Sequence, residues 1–146
     1  SNVEYVEKGD FIMTLDLDCV RDTLLTLEKW LVLDDDLEFH HLNLDNICRS
    51  SEMLKHSKSS IAYTLVLLNE AGFIKCSISY AGPTIYCLLV NRLTYEGHQF
   101  LDSIRPQSTW DKIHTICEKT GLKSLATVME ISDMLLPDTL KAAINP

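Results

Sequence analysis

The segment Leu93-Thr94-Tyr95-Glu96-Gly97-His98 is the most informative one for the fold, because it begins a helix directly after two predicted strands. The first strand, residues 73–79, alternates apolar and polar residues, as a half-buried strand does. The second strand, residues 84–93, is apolar on both sides, which predicts that both of its faces are covered. The stretch therefore predicts a β-hairpin followed at once by a helix with Thr94 as its N-cap.

Two further helices are predicted before this hairpin. Residues 44–54 form the first, with Asp45 as its cap, and Lys55-His56-Ser57 forms the turn after it. Ser57 caps the next predicted helix, which Gly72 ends. A helix-turn-helix followed by a hairpin and a helix is the order of a winged helix. We therefore expect an α+β fold, a winged helix-turn-helix with additional C-terminal helices.

Outside this unit the chain predicts further helices. A fifth helix is expected from Ser108 or Thr109 to Gly121, and a sixth begins after Ser124 and should break at Pro137. An apolar stripe at helical spacing predicts an amphipathic first helix. The stripe consists of Leu17, Val20, Leu24, Leu27 and Leu31.

The length, 146 residues, fits one domain with a sizeable core. We interpret residues 13–146 as a single winged-helix-like domain with a C-terminal helical extension from about residue 106. Residues 1–12 are interpreted as a tag remnant or an N-terminal extension, because Ser1-Asn2 resembles the scar of a cleaved tag.

The composition is that of an ordinary globular protein, with 46% hydrophobic and 23% charged residues. No apolar run approaches the roughly 18 residues of a membrane span, and no secretory signal is recognisable. The five cysteines are widely spaced and contain no C-x-x-C pair, which favours neither a disulfide framework nor a zinc site. We therefore expect a cytoplasmic protein without a cofactor and without membrane contact.

The charge is unevenly distributed along the chain. The whole chain has a net charge of −8, which argues against strong nonspecific binding to DNA. Residues 44–93 contain five bases and three acids, so this segment is weakly positive and the remainder of the chain is strongly negative. Such asymmetry is compatible with duplex DNA as a partner of the helix-turn-helix.

The bases of this segment are the candidate DNA-contacting residues, together with Tyr80 at the tip of the hairpin. Lys58 is the base at the start of the third predicted helix, the one between Ser57 and Gly72, whose outward face would enter the major groove of DNA. The complete set of bases is Arg49, Lys55, Lys58, Lys75 and Arg92.

The outward face of the third helix also supports a second interpretation. Tyr63, Val66 and Leu67 form an apolar patch on this face, and Glu70 would repel phosphate. Such a patch can pack against another protein. We therefore regard these three residues, with Trp110 of the fifth helix, as a candidate interaction surface.

Two groups of residues that could suggest chemistry lack the necessary pattern. His40 and His41 are neighbours in a predicted strand, residues 38–44, so they point to opposite faces and cannot share one metal ion. The polar residues within 95–102 have no nucleophile near them in a recognisable context. Gly-rich phosphate loops are absent from the sequence. We expect no metal site, no catalytic residue and no enzymatic activity.

The sequence resembles a family of bacterial and phage proteins that is catalogued as domain of unknown function 2513. The resemblance is strongest at residues 93–105 and extends to residues 15–21 and 68–74, with Trp110 and Lys112 at positions where the family has a Trp and a Lys. It implies a phage or mobile-element context, but no activity. More loosely, the pattern L-T-x-x-G-x-x-F-L resembles the segment after the wing of winged-helix regulators.

Two functions fit these observations. One is a DNA-associated regulator, and the alternative is a protein-interaction module or homodimeric adaptor that does not bind DNA. The fifth and sixth helices carry more apolar surface than a small winged helix can cover, which predicts a homodimer formed by the first, fifth or sixth helices.

The hairpin sequence also predicts a strand register. Loops of two residues (81–82) or four residues (80–83) both pair Ser79 with Thr84. Counting three residues outward then places Cys76 opposite Cys87. We expect these two cysteines to be close, buried and reduced.

Overall fold

Six α-helices and a small antiparallel sheet form the α+β fold of residues 14–145, the part of the chain that the computed structural model describes. Residues 1–12, interpreted from the sequence as a tag remnant or extension, lie outside the described residues. The helices are α1 (Leu17–Trp30), α2 (Leu44–Cys48), α3 (Lys58–Glu70), α4 (Tyr95–Ile104), α5 (Gln107–Thr120) and α6 (Leu125–Ile144). The strands are β1 (Leu42–Asn43), β2 (Ile74–Ala81) and β3 (Thr84–Leu93), arranged in the sheet order β1-β3-β2.

The predicted stripe of α1 is the centre of the core. Asp16 caps the helix, because its side chain accepts a hydrogen bond from the backbone N–H of Cys19 at 3.2 Å. The first four residues of the predicted stripe are buried, which confirms the periodicity, and Leu31 is half-buried just past the helix end. The stripe packs against α3, the hairpin and α4.

The structure corrects the predicted ends of α2. Asn43 rather than Asp45 is its cap, since the Asn43 side chain accepts from the N–H of Asn46 at 2.8 Å. The helix stops at Cys48, and a 3₁₀ turn, Ser51–Met53, replaces the rest of the predicted helix. The strand predicted for residues 38–44 is reduced to the two residues of β1 and an isolated bridge farther upstream.

The predicted register of the hairpin is wrong. Ala81 pairs with Thr84, so the turn consists of Gly82 and Pro83, with Gly82 in the left-handed region at φ 61°. An extra residue of β3 between the pairs Tyr80–Ile85 and Ser79–Cys87 shifts the pairing further, so Cys76 lies opposite Val90 instead of Cys87. The turn thus forms one residue later in the sequence than predicted, with Gly82 at its first central position, where glycine adopts a positive φ without strain.

The outer end of β3 is more exposed than its apolar sequence predicts. Tyr86 is 78% exposed and Cys87 is also exposed, whereas Leu88 and Val90, nearer the core, are buried. β1 pairs with β3 only at Val90 and Leu89, so it does not extend to the hairpin tip. The prediction that both faces of β3 are covered is therefore wrong for residues 84–87, the part of the strand next to the hairpin tip.

The C-terminal helix α6 does not break at Pro137, contrary to the sequence prediction. It continues to Ile144, and the residues after the proline include Leu, Lys and two Ala, which favour helix. Its first half packs against α4 and α5 through Val128, Ile131 and Ser132. From Leu136 onwards the described side chains of α6 are exposed.

Candidate nucleic-acid interface

The N-terminus of α3 is exposed, after the turn that joins α2 to α3. Ser57 caps the helix, since its hydroxyl accepts from the N–H of Ser60 at 3.1 Å. Lys58 and Ser59 follow and are exposed, while the inner face of the helix is buried in the core by Ile61, Leu65 and Leu68. The free N–H groups and the positive end of the helix dipole thus face outward, next to a lysine.

Lys58 already has an acidic partner in the preceding helix. Its ammonium nitrogen lies 3.0 Å from a carboxylate oxygen of Asp45, and both side chains are largely exposed. The hydrogen bond between them lowers the pKa of Asp45 and raises the pKa of Lys58. A phosphate group that bound Lys58 would have to compete with this carboxylate.

Lys55 lies in the turn between α2 and α3 and is paired in a similar way. Its ammonium group lies 3.2 Å from a carboxylate oxygen of Asp22 in α1. The same oxygen is 2.8 Å from Nε2 of His56, whose side chain is only 6% exposed. Asp22 therefore anchors the turn to α1, and Lys55 contributes to that anchor as well as to the surface charge.

Three other candidate bases are exposed. Lys75 and Arg92 are cross-strand partners on the hairpin, and the guanidinium of Arg92 donates to the carbonyl of Leu93 at 3.4 Å. Arg49 is exposed after the end of α2. Within residues 14–145, none of these three bases lies within ion-pair distance of an acid. Within the described residues, these three candidate bases are therefore the ones that no carboxylate neutralises.

Aromatic side chains rather than bases surround the tip of the hairpin. Tyr80 is 58% exposed, as expected, and Tyr86 is 78% exposed. The sequence interpretation missed Tyr86 because it treated all of β3 as covered. The feature of the sequence that could have identified this exposed residue is a Tyr three residues after the turn.

The residues of the candidate interaction surface are less accessible than the sequence predicts. Tyr63 and Val66 are half-buried, and Leu67 packs against the core. Trp110 is only 3% exposed, and its indole N–H donates to Asp18 at 3.2 Å. Trp110 therefore stabilises the packing of α5 on α1 and has little surface to offer a partner.

Asp34, Asp35 and Asp36 form an acidic turn next to His40, and local hydrogen bonds hold this turn together. One carboxylate oxygen of Asp34 accepts from the backbone N–H groups of Asp36 and Glu38, and the other is 2.9 Å from Nε2 of His40. Among the described residues, no group of three or more His, Cys, Asp and Glu is placed to hold a metal ion. The helices of this part of the chain are each too short or too polar to cross a bilayer.

Comparisons with known proteins identify relatives but no activity. A family model described as "Hypothetical protein (DUF2513)" matches residues 14–123. An uncharacterised protein of Haemophilus influenzae is 28% identical over 82 residues, which is 56% of this chain and 69% of that protein. No solved structure matches the chain.

Proposed function

The chain belongs to the DUF2513 family of hypothetical proteins, and from this premise we propose that it is a non-enzymatic winged-helix protein, a DNA-associated regulator of phage or mobile-element origin. The observation that carries the proposal is the order α1-β1-α2-α3-β2-β3 together with the sheet order β1-β3-β2. That arrangement favours a winged helix, in which α3 would enter the major groove and the hairpin would lie beside it.

The exposed bases of α3 and the hairpin indicate how the protein would bind DNA. Lys58, Lys75 and Arg92 are exposed and would contact phosphates, so binding should weaken as the salt concentration rises. The outward face of α3 offers Ser59 and Tyr63 near its start instead of Arg, Asn or Gln. Base-specific contacts are therefore few, and we expect weak sequence selectivity.

A pair of charge-matched double variants tests this proposal. Lys58→Glu with Lys75→Glu changes the candidate surface, and Lys112→Glu with Lys119→Glu makes the same change in net charge on α5. Fluorescence anisotropy with a mixed-sequence DNA duplex at two salt concentrations should show at least about tenfold weaker binding and a shallower salt slope for the first variant. Equal affinities of the two variants would remove α3 and the hairpin as the interface.

The alternative function is a protein-interaction module or homodimeric adaptor without DNA binding. Two observations favour it: Lys55 and Lys58 are engaged by carboxylates, and α6 presents exposed apolar side chains. Ile144, the last residue of that helix, is 74% exposed. Burial of its side chain in a second copy is our proposal for the homodimer contact.

A further inference from the structure

A groove lies between α4 and α6 and is lined mainly by residues of these two helices. It encloses about 840 Å³. Its floor includes Phe73 and Phe100, whose rings stack with centroids 4.7 Å apart, and its α6 wall carries Met129, Leu136 and Leu140. These three α6 side chains are 38–52% exposed, so the wall presents apolar surface to solvent. Exposed apolar surface in a concave site is typical of a place where another molecule binds.

The rim of this groove is acidic. Glu96 and Asp102 lie on the α4 side and Asp133 on the α6 side. Asp102 is bound to Arg105 at 3.1 Å, whereas among residues 14–145 neither Glu96 nor Asp133 lies within ion-pair distance of a base. The two helices that form the walls contain five acids and one base, Lys141.

From this arrangement we propose that the α4–α6 groove binds a basic amphipathic segment of a partner protein. Apolar side chains of that segment, spaced along one face of a helix, would contact Phe100 and Met129, while its lysines or arginines would pair with Glu96 and Asp133. A second copy of the chain does not fit as well, because it would bring its own acidic α4 or α6 against an acidic rim. An anionic lipid surface is disfavoured for the same reason.

The proposal goes beyond the proposed DNA binding and specifies a second surface and the chemistry of its protein partner. It does not depend on DNA binding, because Lys58 and Lys75 do not line this groove. A variant of the groove should therefore leave DNA binding unchanged, and the double variant of Lys58 and Lys75 should leave peptide binding unchanged.

The probe for the experiment is a fluorescent peptide of about 14 residues, composed of Leu at helical spacing on one face and Lys on the other. Two further peptides serve as controls: a scrambled sequence of the same composition, and an analogue with Glu in place of Lys. Binding of the Leu/Lys peptide to the full chain is expected, with at least about tenfold weaker binding of both controls. Equal binding of the Leu/Glu analogue would contradict the role of the acidic rim, and the absence of Leu/Lys peptide binding would overturn the proposal.

Matched variants of α6 locate the binding site. Met129→Lys places a charge in the groove, while Met134→Lys makes the same change on the same helix outside the groove. The first should weaken peptide binding about tenfold or more, and the second should have little effect. Equal affinities of the two variants would exclude the groove as the peptide site.

Charge variants test the rim separately. Glu96→Gln with Asp133→Asn should weaken binding, whereas Glu118→Gln with Asp111→Asn makes the same change in net charge on α5 and should not. Light scattering of the α6 variants distinguishes a second copy as the occupant. Self-association that is abolished by Met129→Lys but not by Met134→Lys would assign the groove to another copy of the chain and overturn the proposal.

Discussion

The backbone of Gly97 in α4 lies directly against the carbonyl group of Phe73, before β2. A Cβ atom at Gly97 would be 1.9 Å from the carbonyl oxygen of Phe73 and 2.9 Å from its carbon. Thr94 maintains the contact between Gly97 and Phe73 through three hydrogen bonds. Its N–H donates to the Phe73 carbonyl at 3.0 Å, and its hydroxyl donates to the carbonyl of Gly72 at 2.5 Å and accepts from the Gly97 N–H at 3.0 Å. The first turn of α4 is thereby attached to the start of the hairpin.

Gly97→Ala should lower the free energy of unfolding by about 2–4 kcal/mol, because the added methyl group meets backbone atoms that no side-chain rotation can move away. In a helix, alanine is more favourable than glycine by about 1 kcal/mol. A loss of stability would therefore identify the contact with Phe73 as its cause. Urea denaturation followed by circular dichroism gives the free energies. Gln99→Ala, on the exposed face of α4, is the control and should change stability by less than about 0.5 kcal/mol. A fully stable Gly97→Ala variant would contradict the close approach.

Arg105 and Glu28 join the end of α4 to α1 through a bidentate ion pair, with N–O distances of 2.7 and 2.6 Å. The hydrogen bond from Arg105 lowers the pKa of Glu28. Because the folded pKa lies below the unfolded one, the pair stabilises the fold above the unfolded pKa, and this contribution is lost as the pH falls through the folded pKa. Glu28→Gln should therefore cost about 1 kcal/mol at neutral pH, since the pair is partly exposed.

The difference between wild type and Glu28→Gln should shrink as the pH falls below about 4.3, the ordinary pKa of glutamate. Denaturation curves from pH 7 to pH 3 measure this change. Glu118→Gln, at an exposed position on α5, controls for the loss of one negative charge. A difference between wild type and Glu28→Gln that stayed constant across this range would show that the ion pair does not stabilise the fold through the ionised carboxylate.

Cys87 should react first when the native protein is treated with an alkylating reagent at about pH 8. It is exposed on β3, whereas Cys76 is half-buried and burial raises its pKa to about 12. Cys19 and Cys117 are buried, and desolvation raises the pKa of both thiols. Mass spectrometry of time points identifies the modified residue.

Cys87→Ser should remove the fast phase of this reaction, and Cys76→Ser should preserve it. Equal rates at the two positions would be incompatible with the observed register, in which Cys76 lies opposite Val90 on the half-buried side of the hairpin.

Light scattering at tens of micromolar should return twice the chain mass of 16.6 kDa if α6 forms the proposed homodimer. Ile144→Lys should then shift the protein toward the monomer, because a charge would replace an apolar side chain that is 74% exposed in the single chain. Leu122→Lys is a control, since Leu122 is an exposed apolar residue in the loop before α6. A wild-type protein of single-chain mass at this concentration would rule out the homodimer.

The helix limits that depend on local chemistry were predictable from the sequence. Ser57, Thr94 and Ser124 each accept a hydrogen bond from an N–H three residues later, and Gly121 ends α5 with a positive φ. A cap needs only its own residue type and the next turn of chain, so the pattern contains the information. The stripe of α1 was predictable for the same reason, since one repeat specifies its buried face.

The hairpin register and the course of α6 were not predictable in this way. Pairing of Ala81 with Thr84 depends on which of several turns suits the packed strands, and the irregularities in the pairing of β2 with β3 have no clear residue signal. Pro137 indicates a helix break when judged by itself, yet the helix continues through it. A signal at one residue shows neither which turn the packed strands adopt nor whether the residues around a proline continue the helix through it.

Residue type and short-range spacing specify the order of the elements, most of the caps, most of the core and the total charge, so these follow from the amino-acid sequence. Tertiary packing determines which of the described bases meet a carboxylate. Lys58 meets Asp45, and Lys55 meets Asp22 across 33 residues of chain, so two of the five candidate bases have carboxylate partners that a count of charges does not reveal. It also decided where apolar surface remains exposed, because the groove between α4 and α6 exists only once these helices pack together.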